Sequence, residues 1–140
     1  MKKLAFATAV LAMASPGGAA PARPAVEHLG RPIRNGQPLP FSDAVRVGDT
    51  LYLSGQLGIG ADGKLPDGIE AQTKQALENV GAILKRAGLT YTDVFHCTAM
   101  LSDMANWPAM NKVYVTYFPE GKRPARSAFG KSSKPVGTIM

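Results

Sequence analysis

The sequence contains few residues that could bind a metal or cross-link the chain. Cys97 is the only cysteine among 140 residues, which excludes an internal disulfide and any zinc site built from several cysteines. His28 and His96 are the only histidines, so a metal site made of histidines is not expected either. The chain also lacks a Walker A loop and an HExxH motif. P-loop nucleotide binding and zinc-protease activity therefore lose their usual sequence support.

Long apolar runs are also missing, because none reaches the roughly 18 residues that a membrane-spanning helix needs. The longest run, residues 4–14, follows a basic start and precedes a Pro-Gly-Gly segment with small residues. This order is typical of a secretory signal peptide. We expect residues 1–20 to be a leader, cleaved after Ala14, Ala19 or Ala20, and the mature protein to be periplasmic or secreted and outside the membrane. The alternative is a cytoplasmic protein with an apolar start.

The composition is that of one globular domain, with 45% hydrophobic and 19% charged residues. The formal charge of +6 falls to +4 once Lys2 and Lys3 leave with the leader. A basic cluster near the C-terminus contains Lys122, Arg123, Arg126, Lys131 and Lys134. No aromatic residues alternate with these side chains as a base-stacking platform requires. We therefore expect a solvated surface with a small-anion site and do not expect a nucleic-acid partner.

The first half of the mature chain predicts an arm, a hairpin and a long helix. Residues 21–40 contain five prolines and little periodicity, which indicates an N-terminal arm before a domain over residues 41–140. Residues 44–47 and 50–54 predict two strands joined at Gly48-Asp49. Apolar residues at steps of three and four predict a helix over 69–87. Asp67 and Glu70 have capping-box spacing, and Gly88 suits the C-terminal cap.

The second half repeats the order of strand and helix. Residues 94–101 are apolar at most positions and predict a strand buried on both faces. A helix capped by Asp103 or Asn106 is expected to reach about Phe118, with Pro108 in its first turn. Its apolar face contains Trp107, Met110, Tyr114 and Tyr117, which we interpret as core residues. Residues 126–129 predict a last strand. The pattern favours an α+β fold with one sheet and two helices on the same face.

Helices on one side would leave the other side of the sheet uncovered. Leu51, Leu53, Phe95 and Phe129 supply more apolar side chains than one face can use. Exposed apolar area of this kind favours self-association, so we expect a homo-oligomer.

Several segments resemble the RidA (reactive intermediate deaminase) family. They are FSDAVRVG at residues 41–48, LYLSGQ at 51–56, EAQTKQALENV at 70–80, DM at 103–104, MNKVY at 110–114 and RPARS at 123–127. The resemblance implies a chorismate-mutase-like fold, assembled as a homotrimer with clefts between subunits. It also implies hydrolysis of 2-imino acids such as 2-iminobutanoate or 2-iminopropanoate, or of their enamines, to 2-oxo acids and ammonia. That chemistry requires no metal or organic cofactor.

The resemblance suggests which residues would contact the substrate. Arg126 follows a Pro-containing turn, and its guanidinium can hold a carboxylate through two charge-assisted hydrogen bonds. Ser54 can donate a hydrogen bond, and Gly55 allows a ligand close to the backbone. Asn111, which we expect to face away from the Trp107–Tyr114 stripe, borders the cleft in the family. The resemblance also places Phe41 and Ala128 among the substrate-binding positions.

The chain departs from the family at two places. Phe41 stands where the family commonly has Tyr, so one hydroxyl is missing. No acidic residue follows Glu120, whereas the family ends in a strand with a glutamate that positions water or moves a proton. The segment 131–140 looks truncated or frame-shifted, and we expect a missing strand and weakened assembly. A non-catalytic protein that binds small carboxylates is therefore the alternative, and an RNA-binding or ribonuclease-like protein is a weaker one.

His96 and Cys97 are neighbours on a predicted strand. Successive side chains of a strand point to opposite faces, so these two cannot form a nucleophile–base pair. We interpret Cys97 as a buried small apolar residue.

Overall fold

The computed structural model describes residues 22–34 and 36–130. The expected leader and the segment 131–140 lie outside the described residues. Within these ranges the chain forms seven strands and two α-helices: β1 Val26–Leu29, β2 Ile33–Arg34, β3 Gln37–Pro38, β4 Ala44–Val47, β5 Thr50–Leu53, α1 Ile69–Arg86, β6 His96–Leu101, α2 Trp107–Tyr114 and β7 Ala125–Gly130. Short 3-10 turns, Tyr91–Asp93 and Met104–Asn106, precede β6 and α2.

The predicted hairpin of β4 and β5 is confirmed. Its two-residue loop, Gly48-Asp49, joins Val47 to Thr50, and Gly48 has φ 56°, a conformation that glycine adopts without steric cost.

β1 extends this hairpin into a three-stranded antiparallel sheet by pairing with β4. It lies inside residues 21–40, which we expected to form an arm without periodicity. The strand has only four residues between Pro24 and Pro32, too few to give a readable alternation. The sequence therefore predicted the extended conformation of this stretch but not its pairing.

α1 confirms the helix predicted over 69–87. It buries one apolar stripe that includes Leu77, Ile83 and Leu84. Its C-terminal end follows the prediction, because Gly88 has φ 74° in the position after the cap. The predicted capping box is wrong. Gly68 is the N-cap and no side chain caps the helix, so Asp67 lies outside the capping position.

The second half forms a strand–helix–strand unit in which β6 and β7 are parallel. The register places Cys97 opposite Arg126 and Leu101 opposite Gly130. α2 has Pro108 in its first turn, as predicted, but it ends at Tyr114, and turns continue the chain to Phe118.

One apolar core lies between α1, α2 and β6. The buried residues of this core are Leu77, Leu101, Met110, Tyr114 and Phe118. Trp107 and Tyr117 pack against it, which confirms the apolar face predicted for the second helix.

The other face of the strands is uncovered in the single chain. β6 alternates, with Cys97, Ala99 and Leu101 toward the core and the intervening residues exposed. Among the described residues of the single chain no second layer covers this side of β6, so burial of the strand on both faces is not found there. Met100 is 71% and Phe129 56% exposed, as the expected open apolar face requires.

The α+β class with two helices is confirmed. Among the described residues, the hydrogen-bonded ladders β1–β4–β5 and β6–β7 are separate from each other. No helix in the described part of the chain is long and apolar enough to cross a membrane.

Candidate functional site

Arg126 lies on the side of β7 that faces the helices. Strand alternation directs Arg126 and Ala128 toward α2, while Ser127 and Phe129 are exposed on the opposite side. The Arg126 guanidinium carbon is 4.6 Å from the ring centroid of Trp107 and 4.3 Å from that of Tyr114. Both distances are typical of cation–π contacts. The two rings of α2 therefore hold the guanidinium in one place before any ligand binds.

Three buried polar atoms in this region have no hydrogen-bond partner among the described residues. They are Nη1 of Arg126, the hydroxyl of Tyr114 and Oδ1 of Asn111. Buried polar atoms are nearly always hydrogen-bonded in proteins, so unpaired ones indicate a missing water, ion or ligand. Arg126 can only donate, Oδ1 can only accept, and the hydroxyl can do either. A ligand with both a carboxylate and an N–H group would satisfy this set.

The position of Asn111 corrects our expectation. We predicted that it faces away from the Trp107–Tyr114 stripe, but its Oδ1 is buried. Asn111 is four residues after Trp107 and three before Tyr114, and residues at these spacings share one face of a helix. This spacing already indicated that Asn111 lies on the same side of α2 as Trp107 and Tyr114, which our interpretation overlooked.

Tyr114 is both a core residue and a part of this site. Burial raises the pKa of its hydroxyl to about 12. The neighbouring Cys97 thiol acts in the same direction without making a hydrogen bond to the hydroxyl, while Arg126 and Arg123 oppose the rise. The hydroxyl is therefore neutral at physiological pH and can donate to an anion. We interpreted Trp107 and Tyr114 as core residues only, and their contact with Arg126 was not predicted.

Phe41 and Ser54 lie together at a second place, an open groove of about 740 Å³. Phe41 is 47% exposed, so its ring is available to a ligand or a neighbouring molecule. The Ser54 hydroxyl donates to the carbonyl oxygen of Ser42 over 2.7 Å. Its proton is therefore already used, and Ser54 offers a ligand its oxygen lone pairs instead of the donor that we predicted. Gly55, after β5, is exposed and has open space beside it.

The predicted residues thus fall into two groups. Arg126, Asn111 and Ala128 lie at β7 and α2, whereas Phe41 and Ser54 line the groove. Arg126 is not among the groove's lining residues, and no described hydrogen bond, ion pair or cation–π contact joins the groups. We predict that a site using both groups of residues is formed by two chains, one supplying the groove and the other supplying Arg126.

His96 and Cys97 point to opposite sides of β6, as predicted. Cys97 is half-buried beside Tyr114, and His96 is exposed. In the described ranges, no group of three or more His, Cys, Asp or Glu side chains could hold a metal ion.

Comparison with known proteins finds a matching family model and similar named proteins. A family model described as endoribonuclease L-PSP matches residues 36–136. The 2-iminobutanoate/2-iminopropanoate deaminase of Mus musculus is 43% identical over 101 residues, which cover 71% of this chain and 74% of that protein.

Solved structures show the same fold. RidA from an Antarctic Psychrobacter species has a TM-score of 0.64 and 34% identity, and the match covers 80% of this chain and 89% of that one. TdcF of E. coli with bound serine has a TM-score of 0.63 and 28% identity, with 74% and 80% covered. The matched range includes both groups of candidate residues. The chain therefore belongs to the RidA family, whose family model is described as endoribonuclease L-PSP.

Proposed function

We propose that the protein is a hydrolytic deaminase, which converts small 2-imino acids or their enamines to 2-oxo acids and ammonia. The observation that carries the proposal is the Arg126 guanidinium, fixed between two aromatic rings with a buried Nη1 that lacks a partner. A substrate carboxylate would supply that partner. The name of the mouse relative, 2-iminobutanoate/2-iminopropanoate deaminase, supports the same substrate class.

The donors and acceptors near Arg126 match both ends of such a substrate. The guanidinium and the Tyr114 hydroxyl can donate to the carboxylate, and Asn111 Oδ1 can accept from the imine N–H. Water then attacks C2 of the protonated imine and loses a proton, giving a tetrahedral carbinolamine. Protonation of its nitrogen, breakage of the C–N bond and loss of the hydroxyl proton release ammonia and the 2-oxo acid. Orientation and proton transfer are the main demands on the protein.

We further propose that the active form is a homotrimer with its sites between subunits. The exposed apolar face of β6 and β7 provides a surface for assembly, and the separation of the two residue groups calls for a second chain. TdcF with bound serine supports a small amino-acid-like ligand for a protein of this fold.

Arg126→Ala tests the proposed activity. An amino-acid oxidase would generate the imine in the presence of the purified protein, and the loss of imine would be followed. The wild type should speed hydrolysis, and Arg126→Ala should lower kcat/KM by about 10- to 100-fold, since hydrogen bonds to charged groups contribute roughly 1.5–3 kcal/mol. Arg123→Ala, which removes an exposed arginine of the same segment, is the matched control and should keep its rate. Imine decay no faster with wild type than with Arg126→Ala would refute the proposal.

A second candidate is a protein that binds small carboxylates without turnover. It is favoured by the groove, because no carboxylate that could move a proton is among its described lining residues. Calorimetry with 2-oxobutanoate separates the two candidates. Binding that depends on Arg126, together with no acceleration of imine loss, would establish the second.

We also propose that the protein is exported. Residues 2–14 combine a basic start with a short apolar segment, as signal peptides do. Cell fractionation with an antibody against the purified protein tests this. A shortened protein in the periplasmic fraction is expected, whereas full-length protein in the cytoplasm alone would contradict export.

A further inference from the structure

We propose that His28 is the residue that moves the proton during imine hydrolysis. This inference rests on the proposed deaminase function. His28 lies on β1 and lines the same groove as Phe41 and Ser54. Neither the sequence pattern nor the resemblance pointed to it, because β1 was not recognised as a strand.

The pairing of β1 with β4 fixes which way His28 points. His28 lies opposite Val45, and both line the groove. The next residue along the strand in each direction points to the other side. There Glu27 forms an ion pair with Arg46, with 3.7 Å between Oε2 and Nε, and Arg46 donates to the Ala87 carbonyl at the end of α1.

The imidazole is exposed and is tethered to the wall of the groove through one ring nitrogen. Nδ1 of His28 is 3.3 Å from the Ser42 hydroxyl oxygen. The Ser42 carbonyl in turn accepts from the Ser54 hydroxyl over 2.7 Å. In the neutral tautomer whose Nδ1–H donates to Ser42, the Nε2 lone pair remains free to accept a proton. Ser42 therefore serves as a positioning residue for the ring.

The groove offers no other group suited to proton transfer. His28 and Arg31 are the only titratable side chains among its lining residues, and no carboxylate is present there. Arginine stays protonated, whereas histidine is the side chain that exchanges protons near neutral pH. The other charged groups packed against this part of the sheet are already paired, Glu27 with Arg46 and Asp43 with Arg86.

The proposed step moves one proton from oxygen to nitrogen. Neutral His28 accepts a proton from the water that attacks C2 of the protonated imine, and the new C–O bond gives the neutral carbinolamine while the C=N π electrons move to nitrogen. The imidazolium then donates that proton to the amine nitrogen. The C–N bond breaks with its electron pair going to the departing ammonia, a lone pair of the hydroxyl oxygen forms the C=O bond, and the hydroxyl proton is lost to solvent. The imidazole ends neutral, so no oxidant or further reactant is needed.

The first test compares His28→Gln with Glu27→Gln, which alters the neighbouring residue of β1 whose side chain lies on the other side of the strand. His28→Gln should lower kcat for imine hydrolysis at least 100-fold and change KM little, since general acid–base catalysis typically contributes 10²–10⁴-fold. Added imidazole should restore part of the rate to His28→Ala, which a merely structural role of His28 would not allow. Retained affinity for 2-oxobutanoate would exclude a merely structural defect. An active wild type with an equally active His28→Gln would overturn the proposal.

A second test does not require the His28 variants to fold. In His96→Gln the only histidine left is His28, so diethyl pyrocarbonate should inactivate this enzyme as one histidine is modified, and hydroxylamine should restore activity. Full modification without loss of activity would overturn the role of His28. A wild type as slow as Arg126→Ala would instead refute the deaminase function itself, so the two failures are distinguishable.

Discussion

The guanidinium of Arg126 and the phenol of Tyr114 form a stacked pair, with 4.3 Å between the guanidinium carbon and the ring centroid. The pair joins β7 to α2, and each partner brings a buried polar atom that nothing in the described chain satisfies. The Tyr114 ring therefore holds the guanidinium in position, while Nη1 and the hydroxyl still lack the hydrogen-bond partners that a bound ligand would supply.

Tyr114→Phe should separate the role of the hydroxyl from that of the ring. The ring and its contact with Arg126 remain, while a buried hydroxyl without a partner is removed. We expect the free energy of unfolding to stay unchanged or to rise by up to about 1 kcal/mol. We expect KM for the imino acid to rise several-fold, because one donor to the carboxylate is lost. Urea unfolding and steady-state kinetics check both values, and an unchanged KM would argue against hydroxyl contact with the substrate.

The raised pKa of Tyr114, about 12 against an ordinary value of 10, predicts a loss of stability in alkali. Below pH 10 the hydroxyl is protonated in both the folded and the unfolded chain. Between pH 10 and 12 the unfolded chain releases the proton first, so the free energy of unfolding falls as the pH rises. Wild type should lose more stability over this range than Tyr114→Phe. Tyr91 and Tyr117, whose pKa values are also raised by burial, contribute equally to both proteins.

Gly55 and Gly58 should respond differently to alanine. A Cβ on Gly58 would collide with the backbone of Gln72 in α1, whereas a Cβ on Gly55 meets open space. Gly58→Ala should destabilise the protein by about 1–3 kcal/mol, and Gly55→Ala should leave its stability unchanged. Any loss of activity in Gly55→Ala would then come from a clash between the new methyl group and the ligand or a neighbouring chain. Thermal unfolding together with kinetics checks the pair, and equal destabilisation by the two would contradict the geometry.

The open face of β6 and β7 should carry the contact between subunits. Replacing Met100 or Phe129 by Lys places a charge on a side chain that is already exposed in the single chain. We expect light scattering to report an oligomer for the wild type and a folded monomer for Met100→Lys. Lys112→Met, which alters an exposed position of α2 on the other side, is the control and should assemble normally. A wild type that is a clean monomer would remove the proposed sites between subunits.

The parts of the fold that the sequence predicted are those with strong local signals. α1 followed from a long apolar stripe and from Gly88, and the start of α2 followed from Pro108. β1 was missed because four residues between prolines carry too little pattern. The N-cap of α1 was predicted wrongly because the main chain begins the helix at Gly68 without help from the nearby Asp67.

The candidate site was predictable only in part, for physical reasons. Family resemblance pointed to Arg126, but the aromatic pair around it depends on the parallel register of β6 and β7 and on the rotation of α2. The position of His28 in the groove depends on the pairing of β1 with β4, a long-range contact that no local sequence pattern reveals. The orientation of Asn111 was available from helical spacing and was misread.

Subunit complementation tests the central claim most directly, namely that Arg126 of one chain serves the groove of another. Arg126→Ala and Ser54→Trp, which places a large side chain at a residue lining the groove, should each be inactive alone. Refolded together as mixed oligomers, they should regain activity at about a quarter of the sites, because random assembly around a ring pairs an intact groove with an intact Arg126 at that frequency. Mixed oligomers that form but show no more activity than the separate variants would contradict a site shared between chains.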